Sequence, residues 1–186
     1  LLNKKYVNTN IKVFNEDFLD VDLNGIAIDQ NIIMGNLPYN VSSQIIIKII
    51  ESNLRYQHCI FLIQKELANR FINSSKSSKI SIQSQMFCNI EALFDIPPEA
   101  FDPAPKVNST LIKITPHDKY KKYIQSYSSF KKILNICFTN PRKKISTALK
   151  NINVDTSQFS FDINSRAEEL EINDYFEILV QYESQI

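Results

Sequence analysis

The chain of 186 residues is poor in several residue types that carry common chemistries. It has two glycines, Gly25 and Gly35, and no tryptophan. Average usage would give roughly thirteen glycines at this length. A phosphate loop of the G-x-G-x-x-G or G-x-x-x-x-G-K-S/T type is therefore excluded. The three cysteines, Cys59, Cys88 and Cys137, are odd in number and form no C-x-x-C pair. They read as buried thiols of a reducing compartment, not as a disulfide framework. The two histidines, His58 and His117, lack ligand spacing, so no metal site is expected. No apolar run approaches the length needed to cross a bilayer. The chain opens without a charged-apolar-small leader, so a cytoplasmic location away from membranes is expected.

What is present is an uneven charge distribution behind a net charge of +1. Residues 1–118 are nearly balanced, with 11 basic and 12 acidic side chains. Residues 119–150 hold nine basic side chains and no acid, whereas 151–186 hold Arg166 against eight acids. A basic block of this kind suits a polyanion, because every neutralised phosphate releases a counterion. The plain alternative is a solvated helix face paired with the acidic tail. Lysine outnumbers arginine 17 to 4, which fits compositional drift as well as selection for charge.

Hydrophobic periodicity divides the chain into two parts. In the first, Ile11 to Asn15 alternates like a strand that ends at Glu16-Asp17. Asn31 to Met34 reads as a short buried strand stopped by Gly35-Asn36-Leu37-Pro38. Ser42 or Ser43 is suited to cap an isoleucine-rich helix running to about Asn53. His58–Ile63, Ile90–Ile96 and Thr110–Ile114 read as strands, and Gln64–Ile72 and Ile80–Cys88 as helices. Four prolines in residues 97–105 force a stiff irregular loop. Strands alternating with helices indicate an α/β layer with a largely parallel sheet. In the second part, residues 117–186, Phe130, Ile133, Leu134, Cys137 and Phe138 fall at helical spacing. So do Ile145, Ala148 and Leu149, and Phe176, Leu179 and Val180. Pro141 suits a helix first turn. The expected organisation is an α/β unit over 1–116 and a small all-α unit of three or four helices over 117–186.

One constellation carries chemistry. Asn36-Leu37-Pro38-Tyr39 directly follows a predicted parallel strand, where open α/β sheets bind their ligands. The exocyclic amine of a nucleobase is a poor nucleophile because its lone pair is delocalised into the ring. Two acceptors, the Asn36 side-chain oxygen and the Leu37 carbonyl, suit its two hydrogens and favour a pyramidal nitrogen. Pro38 stiffens the turn and biases Leu37 towards an extended backbone. Tyr39 offers a ring for a base to stack on, worth ~1–3 kcal/mol in single-strand binders. Alone, the four-residue string reads more readily as a strand-ending turn with a core tyrosine.

The string does not stand alone. Gly35-Asn36-Leu37-Pro38-Tyr39-Asn40-Val41-Ser42-Ser43 is followed in order by Gln64-Lys65-Glu66-Leu67-Ala68-Asn69-Arg70. Phe101-Asp102-Pro103-Ala104-Pro105-Lys106-Val107-Asn108-Ser109 comes next. Phe138-Thr139-Asn140-Pro141-Arg142-Lys143-Lys144 and Arg166-Ala167-Glu168-Glu169-Leu170 complete the set. Together they resemble the small-subunit ribosomal RNA adenine dimethyltransferases, the family linked to kasugamycin sensitivity. The resemblance covers nearly the whole chain and implies a Rossmann-like S-adenosylmethionine methyltransferase fold with an all-α carboxyl-terminal domain. Members of that family begin with a further segment holding a Gly-rich cofactor loop. The expected sheet is accordingly truncated, and the chain as it stands is expected to bind cofactor poorly and to be inactive.

The resemblance also implies roles. Asn36, Leu37 and Tyr39 would form the catalytic turn, with Asn36 and Asp17 beside S-adenosylmethionine. Tyr39 and Phe101 would flank the target adenine. Lys106, Arg142, Lys143 and Lys144 would contact RNA phosphates, fixing register without reading sequence. Gln64-Lys65-Glu66 would support the site. The implied partner is small-subunit ribosomal RNA within a 30S precursor, bound by a monomer without a metal ion. Two rivals share much of this pattern. One is the large-subunit adenine methyltransferase type of macrolide resistance. The other is a catalytically silent RNA-binding factor of ribosome assembly.

Overall fold

The computed structural model describes residues 11, 13–23, 31–72, 76–152 and 154–185. Its first regular unit is β1 (Asn31–Asn36), α1 (Ser42–Glu51) and β2 (Tyr56–Gln64), with β1 and β2 parallel. A parallel pair needs a crossover, and α1 supplies it. Ile45, Ile46, Ile49 and Ile50 of α1 are buried, at ~1.5–3 kcal/mol each relative to exposure. They meet Cys59, Phe61 and Ile63 of β2, which alternate inward along the strand as a period of two requires.

Two helices follow, α2 (Lys65–Ile72) and α3 (Lys79–Gln85), then β3 (Cys88–Ile96) and β4 (Ser109–Pro116). The strand order is β1-β2-β4-β3. β4 runs antiparallel to both β2 and β3. The expectation of a largely parallel sheet is thus corrected among the described residues: one of three pairings is parallel. The reason lies in the loop of residues 97–108. It holds no crossover helix, so β4 folds back between β2 and β3 as a hairpin partner.

Other expectations shift for local reasons. Residues 13–15 form no strand, and Lys12 lies outside the described residues. Neither Ser42 nor Ser43 caps α1; Val41 occupies the cap position. The Ser42 hydroxyl instead donates to the Tyr39 carbonyl at 3.1 Å. Pro141 sits in a turn ahead of α5, not in its first turn.

The remaining helices are α4 (Tyr127–Phe138), α5 (Ile145–Leu149) and α6 (Ile172–Glu183), joined by short 3-10 turns. Their core gathers Phe130, Ile133, Leu134, Cys137, Leu149, Tyr175 and Leu179. Val180 shares the helical spacing but is 55% exposed, so it faces solvent. The core also takes Ile82 and Met86, from α3 and the residue that closes it. This core therefore includes side chains from before residue 117. The backbone N–H of Ser77 donates to the Glu168 carbonyl at 2.8 Å, and its hydroxyl donates to the Leu170 carbonyl at 2.8 Å. These bonds tie the approach to α3 to the tail.

Candidate active site

β1 ends with Asn36 opposite Leu62 of β2. The chain then turns sharply. The Leu37 N–H donates to the Leu62 carbonyl at 3.2 Å, and the Val41 N–H donates to the Pro38 carbonyl at 3.2 Å. Gly35 lies under this turn. A Cβ there would sit 3.1 Å from Leu37 Cδ2 and 3.5 Å from Phe61 Cδ1. The glycine thus lets the Leu37 side chain close over the strand.

Tyr39 is held at two points. Its hydroxyl shares a hydrogen bond of 2.7 Å with Ser109 Oγ at the start of β4. Its carbonyl accepts from Ser42 Oγ. Asn36 is exposed, and its amide makes no hydrogen bond among the described residues.

Across from this turn stands the proline loop. A 3-10 turn at Pro98–Ala100 leads into Phe101, whose N–H donates to the Pro98 carbonyl at 3.1 Å. The loop is fastened at its base. Asp95 accepts from Thr110 Oγ1 at 2.7 Å and from Lys65 Nζ at 2.6 Å. The Lys65 N–H donates to the Asn108 carbonyl at 3.0 Å. The bonds from Lys65 first, and Thr110 second, hold the Asp95 carboxyl below its ordinary pKa. Asn36, Leu37, Pro38 and Tyr39 form one wall of an open cleft of about 330 Å³; Phe101, Asp102, Pro103 and Pro105 form the other. The sequence motifs around residues 36 and 101 therefore meet in space.

Other candidate residues lie elsewhere. Asp17 does not line the cleft. Its carboxylate accepts the Leu19 N–H at 2.9 Å and closes an exposed turn. Lys106 is exposed on the proline loop outside the cleft lining. Arg142, Lys143 and Lys144 are exposed in the turn between α4 and α5. Lys143 and Lys144 edge a second cavity of about 300 Å³ with Thr139, Asn140 and Asn151. Among the described residues, none of the nine cations of 119–150 forms an ion pair with the acidic tail. Lys131 pairs with Glu51 of α1 at 3.3 Å instead. Lys132 donates to the Tyr182 hydroxyl at 2.5 Å and Lys144 to Asn164 Oδ1 at 3.0 Å.

The sequence assigns no role to Asp95, Ser109 or Thr110, although Ser109 closes the Phe101–Ser109 string and Thr110 opens a predicted strand. The β2–β4–β3 register fixes both at the start of β4, where Ser109 meets Tyr39 and Thr110 meets Asp95.

Residues 1–183 match the model of the family described as ribosomal RNA adenine dimethylase. The chain belongs to that family. Its methyl donor is S-adenosylmethionine, and its enzymes methylate adenine in ribosomal RNA. Among relatives, the chain is 32% identical to ribosomal RNA small subunit methyltransferase A of Pelagibacter ubique, over 98% of this chain and 73% of that protein. It is 33% identical to the protein of the same name from Francisella tularensis, over 88% of this chain and 66% of that protein. A dimethyladenosine transferase from Plasmodium falciparum superposes with a TM-score of 0.76 at 20% identity, over 99% of this chain and 77% of that one. The 23S rRNA methyltransferase ErmE superposes at 0.74 and 15% identity, over 98% and 76%. These two likenesses support the Rossmann-like methyltransferase fold. Among the described residues no helix is long and apolar enough to cross a membrane. No cluster of three metal-ligating side chains occurs among them either.

Proposed function

We propose that the protein dimethylates the exocyclic amines of adjacent adenosines in small-subunit ribosomal RNA, acting as a monomer on a 30S precursor in the cytoplasm. The observation that carries this reading is the Asn36 amide, unpartnered among the described residues, at the mouth of a cleft walled by Tyr39 and Phe101. In this reading the Asn36 side-chain oxygen and the Leu37 carbonyl accept the two amine hydrogens. The nitrogen lone pair is then freed from the ring and aimed outwards. Tyr39 stacks on one face of the adenine and Phe101 lies against the other. The base must leave its own stack to reach them.

S-adenosylmethionine, when bound, supplies an electrophilic methyl group. The free Asn36 amide fits a place beside it, whereas Asp17 is occupied by its own turn. Asn36 is thus this chain's contribution to the donor side, and Asp17 is a weaker candidate. The chain's residues act by positioning and desolvation, without a covalent enzyme intermediate. No base is needed before transfer, because the resulting ammonium is acidic and loses its proton to water. Arg142, Lys143 and Lys144, on the helical unit formed by residues 117–185 with α3, hold RNA phosphates, and Lys106 adds a further contact.

The fold comparison does not separate small-subunit from large-subunit substrates, since both neighbours superpose closely. The names of the relatives and the Phe101–Ser109 string favour the former. The deciding experiment offers undermethylated 30S subunits and 23S RNA to the intact gene product with labelled methyl donor. Label in 30S adenines is expected. Label in 23S RNA alone would transfer the protein to the macrolide-resistance type. No label and no heat on titration with S-adenosylmethionine would leave a silent assembly factor.

A further inference from the structure

Ser109 is fully buried, and burying a hydroxyl is costly unless it is hydrogen-bonded. Its partner is the Tyr39 hydroxyl, 2.7 Å away and 70 residues earlier in the chain. A strand position needing only shape would be served by alanine at no desolvation cost. Ser109 is also the first residue of β4, directly after the loop that carries Phe101. Both neighbouring strands hold its backbone, with Gln64 opposite on β2 and Ile96 opposite on β3. It is therefore a fixed post at the point where the two walls of the cleft join.

We infer that Ser109 is a positioning residue for the methyl transfer: through the Tyr39 hydroxyl it fixes the place of the ring on which the target adenine stacks. This rests on the adenine-stacking reading above. The contact from Ser42 reaches only the Tyr39 carbonyl and leaves the side chain free to swing about χ1. The bond to Ser109 stops that swing, because it anchors the far end of the ring. The Lys65–Asp95–Thr110 bonds hold the opposite wall at the same end of the sheet. Ring position and cleft width are thus referred to one rigid strand end. A stacked base then presents its amine to Asn36 in one orientation.

The test is a double-mutant cycle in the intact gene product, using Ser109→Ala, Tyr39→Phe and the pair together. Two signals are read: kcat and KM for methyl transfer to a 30S substrate, and emission of a 2-aminopurine placed at the target adenine of a short RNA hairpin. Each single variant is expected to lower kcat about tenfold, the usual scale of one hydrogen bond, with KM for RNA nearly unchanged. Each is expected to brighten the 2-aminopurine, because its stacking on Tyr39 is loosened. The double variant is expected to lose no more than either single, since both remove one bond. Losses that multiply in the double variant would overturn the inference, as would wild-type kcat and emission in Ser109→Ala. If Ser109→Ala does not fold, Ser109→Cys keeps the shape with a weaker hydrogen bond and completes the cycle. A wild-type protein that methylates no ribosomal adenine would instead sink the proposed function, and this inference with it.

Discussion

The Glu51 carboxylate, in the last turn of α1, accepts a hydrogen bond from the hydroxyl of Tyr127 in the first turn of α4. The same oxygen accepts from Gln83 Nε2 of α3 at 2.5 Å. Lys131 completes the group. One acid thus joins the sheet layer to two helices of the second core. Burial, then the bond to Glu51, pushes the Tyr127 phenol above its ordinary pKa, so its hydroxyl remains a donor well into alkaline solution. Glu51→Ala takes the acceptor from the Tyr127 hydroxyl, while Gln83 Nε2 keeps the Tyr127 oxygen at 2.9 Å, and is expected to cost about 2 kcal/mol. Glu51→Gln, which keeps an acceptor, should cost less. Urea melts of the two variants against wild type check the order.

On the proposed reading, Asn36→Ala removes an acceptor for the reacting amine. Loss of one preorganised partner costs on the order of a hundredfold or more in kcat. RNA affinity should barely move, because phosphates dominate it. Wild-type rates in this variant, with binding measured in parallel, would remove Asn36 from the site.

Reversal of Arg142, Lys143 and Lys144 to glutamate tests the polyanion face. Each lost phosphate contact lowers the slope of log K against log salt by roughly 0.7 to 0.9. A reduction of about two is expected, with weaker binding to every RNA sequence tried. Filter binding across a salt series reads it. An unchanged slope would take the turn out of the interface.

Gly35→Ala places a methyl 3.1 Å from the Leu37 side chain. The Leu37 side chain must shift by a few tenths of an ångström, which loosens its packing under the Asn36–Tyr39 turn. Methyl transfer is expected to fall several-fold while melting changes by about 1 kcal/mol or less. Equal loss of both would mark the position as purely structural.

Burial pushes the thiols of Cys59, Cys88 and Cys137 from an ordinary value of 9.0 up to about 12. They should resist alkylation in the native protein and react once it is unfolded. Because the folded value exceeds the unfolded one, the stabilising contribution is complete below about pH 9. It is lost as the pH rises from there towards 12. Thermal melts at about pH 8 and about pH 10 should therefore show a lower Tm at the higher value.

Much of this protein follows from residue order. Inward alternation at Cys59, Phe61 and Ile63 makes a strand wherever its neighbours lie, and the isoleucines of α1 need a sheet to cover them. The Asn36–Tyr39 turn is written in proline and in its place after a strand. Those are local preferences, acting over a few residues. The direction of β4, the recruitment of Ile82 and Met86 by the helical core, and the meeting of Tyr39 with Ser109 were decided only in the folded chain. Each depends on which distant surfaces bury the most apolar area together while leaving no buried hydroxyl unpaired. That balance belongs to the packed molecule as a whole, so no window of sequence contains it.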